Sequence, residues 1–147
     1  MSKGYVFENS DNTVNRIFTW IKITKTYADL SAAALTNDIE FYSLPAKTVI
    51  NSVLFKHSTS FQGGSIATYT LSVGFSGSLL YLSGGVATDV NQAPGDAVYG
   101  QSNNGTPILK SFANATSVRL SAISTGANLD QATQGSVDIW IAVSNIE

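Results

Sequence analysis

The stretch ATYTLSVGF, residues 67–75, alternates bulky apolar side chains with small hydroxyl side chains. Tyr69, Leu71 and Val73 fall on one side of an extended chain together with Phe75, and threonine and serine residues occupy the other side. Successive side chains of a β-strand point to opposite faces, so this period of two predicts a strand with one buried face and one solvent face.

Similar patterns recur on both sides of this strand. In IFTWIKITK, residues 17–25, three isoleucines share one face, and Phe18, Trp20 and Lys22 share the other. Many short strands separated by turn residues predict an all-β fold, a single antiparallel β-sandwich that is jelly-roll-like and spans residues 17–147. The other runs that predict strands are TVINSVLFKH (48–57), SLLYLS (78–83), TSVRLSAIS (116–124) and GSVDIWIAV (135–143), with short extended pieces near 86–90 and 97–99.

One segment favours a helix. YADLSAAALTND, residues 27–38, places Asp29 ahead of a run of alanines, where it could cap a helix. The segment is too short to be a major element of the domain. We therefore expect one short helical connector between two strands.

The last two predicted strands allow a test of register. If they pair as a hairpin around TGANLDQATQ, Val118 lies opposite Ile139 and Arg119 lies opposite Asp138. Apolar residues then meet on one face and opposite charges on the other, and a slip by one residue breaks both matches. Trp140 shares the face of Asp138, so both faces of the last strand carry apolar bulk. Such a strand is buried on both sides or lies against another subunit, and we favour a subunit interface that includes Trp140, Asp138 and Arg119.

Composition narrows the classes of function. The chain has 147 residues, no cysteine, a net charge of −2 and only 12% charged residues. The few lysines and arginines are scattered, which argues against nucleic-acid binding because that binding needs clustered cations. No apolar run is long enough to span a membrane, and the N-terminus lacks the pattern of a secretory signal. A soluble monomer usually carries about 25–35% charged residues on its surface, so this composition favours a homo-oligomer.

Residues 1–16 form a polar arm without a sustained period. The arm contains Tyr5 and Phe7, which we add to the candidate subunit interface. Such a segment is either disordered or laid as a strap on a neighbouring subunit or particle.

The single histidine, His57, precedes a loop in KHSTSFQGGSIATYTLSVG, residues 56–74. Ser58 and Ser60 neighbour it in sequence, but that proximity means little because adjacent strand residues face opposite sides, and no G-x-S-x-G elbow occurs. We therefore expect no enzymatic activity. The loop should expose Phe61, while Gly63 and Gly64 permit the positive φ that a tight return needs. Two acidic segments, 8–13 and 89–96, do not match the spacing of a calcium loop. We predict no metal site and no cofactor.

The segments IKITKTYADLSAAALTNDIEFYSLPAKTVINSVLFKHSTSFQGG, YTLSVG and STGANLDQATQGSVDIWIAV resemble small structural proteins of tailed bacteriophages and prophages. This resemblance implies a non-enzymatic virion component with a β-sandwich fold, such as a capsid decoration, head-fibre, neck or tail protein. It also implies a virion location, contacts with other virion proteins and, by analogy, a trimer. The alternative is a carbohydrate-binding β-sandwich that recognises a host surface through its tryptophans.

Overall fold

The computed structural model describes residues 18–83, 87–99 and 110–145, with the backbone alone for residues 95–99 and 110. Short 3₁₀ turns cover Tyr81–Ser83 and Leu129–Gln131. The strands are β1 (Thr19–Thr26), β2 (Thr36–Leu44), β3 (Thr48–Gln62), β4 (Thr68–Phe75), β5 (Thr88–Asp89), β6 (Gly95–Tyr99), β7 (Lys110–Phe112), β8 (Thr116–Thr125) and β9 (Gln134–Asn145).

The strands form two antiparallel sheets. One has the order β1-β9-β3-β6, with β7 also paired to β3, and the other has the order β2-β8-β4-β5. Partners are nested along the chain, because β1 pairs with β9, β2 with β8, β3 with β6 and β4 with β5. A long hairpin wrapped into two facing layers has this nesting, which is the jelly-roll topology. The predicted all-β, jelly-roll sandwich is confirmed.

The core lies between the two sheets and is built from the alternating faces of the strands. Tyr69, Leu71 and Val73 have no exposed surface, as the pattern of residues 67–75 predicts. On β1 the predicted faces are also confirmed, since Ile21 and Ile23 are partly buried and Trp20 is exposed. Each fully buried side chain of this size contributes about 1.5–3 kcal/mol of hydrophobic free energy. Burial of the apolar faces of the strands is therefore the main driving force for forming this sandwich.

The prediction of a helical connector at residues 27–38 is wrong. Residues 27–30 form a turn, residues 33–35 form a bend, and β2 begins at Thr36. Asp29 accepts hydrogen bonds from the backbone N–H (2.8 Å) and the hydroxyl (2.9 Å) of Thr26, so it closes a turn instead of capping a helix. Leu30 is fully buried and anchors this connection to the core.

SLLYLS, residues 78–83, was predicted as a strand and is instead a turn followed by the 3₁₀ turn Tyr81–Ser83. The hydroxyl of Ser83 explains why this segment is not a strand. The Oγ of Ser83 accepts a hydrogen bond from Val73 N–H and lies within 3.5 Å of Val73 O, so this segment folds back on β4 and does not extend the sheet. Leu82 is fully buried beneath it.

The predicted hairpin between the last two strands is also wrong. β8 lies in the four-stranded sheet between β2 and β4, and β9 lies in the other sheet between β1 and β3. Val118 is therefore opposite Tyr42 and Phe75, and Ile139 is opposite Ile23 and Phe55. The chain crosses from one sheet to the other through residues 126–133, where fully buried Leu129 packs into the core.

Candidate functional site

β9 places its side chains on two very different faces. Val137, Ile139 and Ile141 point into the core and have no exposed surface, whereas Asp138 and Trp140 lie on the outer face of the sheet and are partly buried. The prediction that Trp140 and Asp138 share one face is confirmed. The large apolar side chain of Trp140 is therefore on the outer face of the sheet, outside the core.

Three strands contribute to the surface around Trp140. In the register of the sheet, Trp140 lies between Lys22 of β1 and Leu54 of β3, and Asp138 lies between Thr24 and Lys56. Trp20, which is 46% exposed, lies diagonally across from Trp140 because its direct partner on β9 is Ala142. We call the surface formed by Trp20, Lys22, Leu54, Asp138 and Trp140 the Trp face.

Polar contacts hold the side chains of the Trp face in place. The ammonium of Lys22 lies 2.9 Å from Oδ2 of Asp138 and 5.3 Å from the ring centroid of Trp140. The hydroxyl of Thr24 donates a hydrogen bond of 2.6 Å to Oδ1 of the same carboxylate. A cation over an indole ring is attracted by its negative π-face, so Lys22 is bound by both a carboxylate and an aromatic ring.

The Asp138 carboxyl group is tuned by these neighbours. Its partial burial raises its pKa, but the hydrogen bonds from Thr24 and Lys22 and the charges of Lys22 and Lys56 outweigh that effect. The pKa of Asp138 therefore lies below its ordinary value, and the group is a carboxylate at neutral pH. The Trp face consequently presents aromatic surface beside Lys22 and Asp138, whose opposite charges neutralise each other.

The structure does not bring Arg119 to this surface. Arg119 lies on the outer face of the other sheet, where its Nε is 2.9 Å from Oδ1 of Asp38 and its Nη2 donates to the Asp38 carbonyl at 3.0 Å. The predicted pairing of Arg119 with Asp138 is wrong, because the two strands belong to different sheets. Tyr5 and Phe7, the other candidates for the interface, lie outside the described residues.

Phe61 was predicted to be exposed in a loop, and this is wrong. β3 continues to Gln62, and Phe61 is fully buried with its ring centroid 4.8 Å from that of Tyr69. Gly63 and Gly64 follow with φ angles of 148° and 53°, as the prediction of positive φ requires. A Cβ on Gly63 would lie 2.4 Å from the carbonyl oxygen of Gln131, so glycine allows two loops to pack together here.

His57 is a structural residue of the sandwich. It is buried on the inner side of β3, and its Nε2–H lies 3.2 Å from the Gln92 carbonyl and 3.1 Å from the Ala93 carbonyl. Ser60 donates a hydrogen bond of 2.7 Å to the same Gln92 carbonyl instead of to the imidazole. Both side chains therefore hold the loop after β5 against β3. The prediction that the strand ends at His57 is wrong, because β3 continues to Gln62.

Metal ligands do not cluster in the part of the chain that the structure describes: no group of three or more His, Asp or Glu side chains forms there. In the acidic segment 89–96, the Asp89 carboxylate accepts hydrogen bonds from Asn91 N–H and from the Gln92 side-chain amide, at 3.0 and 3.1 Å. These bonds close a turn. The other acidic segment, 8–13, lies outside the described ranges. None of the described helical segments has the length and apolar character needed to cross a membrane.

Sequence reasoning identified Trp20 and Trp140 but missed the roles of Lys22, Thr24 and Leu54. These residues join the site only because β1 and β3 flank β9, and no local pattern specifies that neighbourhood. The alternation of β1 did carry part of the signal, since it placed Lys22 on the same face as Trp20.

Comparison with known proteins adds evidence on the fold. No protein-family model and no curated protein sequence matches this chain. A chain from the capsid asymmetric unit of cyanophage Pam1 superposes with a TM-score of 0.61 at 16% identity, over 95% of this chain and 93% of that one. A chain from the capsid of Ralstonia phage GP4 superposes with a TM-score of 0.55 at 18% identity, over 97% and 93%. At such identities the likeness shows the fold, and the predicted resemblance to β-sandwich virion proteins of phages is confirmed at that level.

Proposed function

We propose that this chain is a non-enzymatic structural protein of a phage virion that acts by self-association and by docking on the assembled particle. The observation that carries the proposal is the shared jelly roll, which runs through nearly the full length of this chain and of chains from two phage capsids. Capsid decoration, head-fibre, neck and tail components are the roles open to it.

The Trp face is the proposed contact surface. It has aromatic surface, including a 46% exposed tryptophan, and its lysine and carboxylate neutralise each other. Apolar aromatic surface with little net charge is what the centre of a protein interface contains, where tryptophan supplies much of the binding energy. A threefold ring formed through this face is the stoichiometry we propose, and residues 1–16 are the proposed strap onto a neighbour or the particle.

The test begins with the particle. Mass spectrometry of purified virions should find this chain at a copy number that is a multiple of the copies in one symmetric ring. Its absence from virions would refute the virion role. Light scattering coupled to size exclusion should find a species above monomer mass at micromolar concentration, and a stable monomer would refute self-association.

A matched pair of variants tests the surface. Trp20→Ser should weaken self-association about thirtyfold, since truncating an interfacial tryptophan commonly costs ~2 kcal/mol. Ile123→Ser is the control, because Ile123 is 42% exposed on the outer face of the opposite sheet. Equal effects of the two variants would mean that the Trp face is not the contact surface.

The Trp face also favours a second candidate, a glycan-binding module. The exposed ring of Trp20 could stack on a sugar, and the polar groups of Lys22 and Asp138 lie beside it to meet hydroxyl groups. This candidate predicts saturable binding on a glycan array that Trp20→Ser abolishes, by a chain that is monomeric. A chain that binds no glycan and elutes as an oligomer would exclude it.

A further inference from the structure

The exposed edges of the two sheets are not equivalent. Among the strands that the structure describes, β5 has only two residues and β6 has five, while β2 is interrupted by a bulge between Glu40 and Tyr42. Short strands and bulges are devices that prevent an edge from pairing with another chain. β1 has neither, since its eight residues pair with β9 in unbroken register.

Two hydrogen bonds show which backbone groups of β1 point away from the sheet. Tyr27 N–H donates to the Gly135 carbonyl of the neighbouring strand, whereas Thr26 N–H donates to the Asp29 side chain. In an antiparallel pair, each residue directs both its N–H and its C=O either towards the partner or away from it, and the two kinds alternate. The backbone groups of Trp20, Lys22 and Thr24 therefore point to the open edge, and Asp29 closes that edge at Thr26.

The usual guard on such an edge is a lysine whose charge faces an approaching strand. Lys22 occupies the middle of β1, but its ammonium is bound to Asp138 and lies over Trp140, on the side of β9. Its charge is compensated within the same copy. Within the described residues of β1, the central part of the edge therefore has no lysine whose charge is free to face an approaching strand.

We propose that this edge pairs with β1 of a second copy of this chain, antiparallel about a twofold axis at Ile21. The proposal rests on the self-association part of the proposed function. Every register with its twofold axis at a residue position places the same faces together, and the axes at residues 21, 22 and 23 are those centred on the middle of β1. An axis at Ile23 would require Thr26, whose N–H is taken by Asp29, and an axis at Lys22 would set two lysines opposite each other, which is unfavourable.

The remaining register uses the open groups of residues 18–24 on both copies. Trp20 lies opposite the partner's Lys22 on the outer side, so an indole meets a cation that already lies over the partner's Trp140. Ile21 lies opposite the partner's Ile21 on the core side. The five-stranded sheets of the two copies become continuous, and their two Trp faces join into one surface.

This self-complementarity is why a second copy is the proposed occupant. The contact alone gives a dimer, and combined with a threefold ring it gives six copies.

Because the chain has no cysteine, single-cysteine variants can read this register directly. In the proposed pairing the residue-21 positions form a non-hydrogen-bonded pair with Cα atoms about 4.5 Å apart, within the range of a disulfide. Ile21→Cys should cross-link to a covalent dimer under a mild oxidant such as copper phenanthroline. Ile23→Cys is the control, since its copies would be about 14 Å apart along the strands. Preferential cross-linking of Lys22→Cys or Ile23→Cys would overturn the register.

A second pair of variants tests the edge without cysteine. Thr24→Pro and Thr24→Val both lose the hydroxyl that bonds Asp138, but only the proline removes the outward N–H and places a ring on the edge. Thr24→Pro should halve the mass measured by light scattering relative to Thr24→Val, which loses the same contact with Asp138, and both variants should have unchanged circular dichroism. If Thr24→Pro keeps the parental mass and Ile21→Cys does not cross-link, the edge proposal is wrong and self-association through the Trp face stands. If the parent itself is a monomer, self-association fails before any variant is made.

Discussion

Replacing Gly135 with alanine tests how tightly the end of the sandwich is packed. Gly135 is the second residue of β9 and has a φ of 147°, and a Cβ built on it would lie 2.4 Å from Cγ and Cδ1 of Phe61. Carbon atoms in contact prefer about 3.5–4.0 Å, so the ring would have to move by roughly 1 Å. Phe61 is fully buried against Tyr69, with 4.8 Å between ring centroids, so a shift of its ring disturbs a close-packed core.

The expected cost of Gly135→Ala has two parts. Displacing the ring is an overpacking effect of ~1–3 kcal/mol, and holding alanine at this φ costs a further ~1–3 kcal/mol of backbone strain. In a Phe61→Ala background the first part disappears, because the ring atoms that clash are gone. Phe61→Ala itself should cost ~3–5 kcal/mol for the lost burial and the cavity.

A double-mutant cycle measures the clash. Urea unfolding of the parent, both single variants and the double variant, followed by tryptophan fluorescence, gives the four free energies of unfolding. We expect the double variant to be more stable than the sum of the single effects by ~1–3 kcal/mol. Additivity within ~0.5 kcal/mol would refute the packing argument, because residues in direct contact should couple.

Other side chains give further tests. The Tyr69 hydroxyl is buried and has no hydrogen-bond partner among the residues that the structure describes, and burial raises its pKa. Tyr69→Phe should therefore increase the free energy of unfolding by ~1 kcal/mol, and a loss of stability would mean that the hydroxyl is bonded. The lowered pKa of Asp138 means that its contribution to stability is complete above the pKa of the unfolded chain, ~3.9, and is lost as the pH falls through the lower folded value. In Asp138→Asn the urea midpoint of unfolding should therefore fall less between pH 5 and pH 2 than it does in the parent. Parallel curves of midpoint against pH would contradict this. His57→Ala should fold but lose ~1–3 kcal/mol, because the Ala93 carbonyl loses the imidazole donor and the Gln92 carbonyl keeps only its hydrogen bond from Ser60; an unchanged melting temperature would argue against the bonds from His57.

The sequence predicted strands and faces well, and partners poorly. Alternation in residues 67–75 and 17–25 reports which side chains are buried, because burial acts on each strand separately. It does not report which strand lies alongside, since any two amphipathic strands can be aligned with matching faces. The hairpin that paired Arg119 with Asp138 satisfied every local criterion and was wrong. Arg119 is satisfied by Asp38 and Asp138 by Lys22, across pairings that join distant parts of the chain.

The errors at Asp29 and Phe61 have a different origin. Both residues lie beside typical turn signals, and in each case a tertiary contact decides the outcome. Asp29 bonds backwards to Thr26, and Phe61 is drawn into the core next to a glycine on β9 that leaves room for its ring. The Trp face could be predicted only in part. The sequence indicates its two tryptophans, whereas Lys22, Leu54 and the supporting Thr24 come beside Trp140 and Asp138 through the order of the strands in the sheet.

The nested order of the strands has a consequence for how the chain folds during synthesis. Thr19 of β1 pairs with Val143 of β9, and β9 also lies between β1 and β3. One half of the sandwich therefore cannot close until the last strand has left the ribosome, and closing such a long loop is slow. Until then β1 and β3 each lack their shared neighbour, which exposes them to association with other nascent chains. We expect refolding on the millisecond-to-second timescale that non-local β-topologies show, with yields that fall as protein concentration rises.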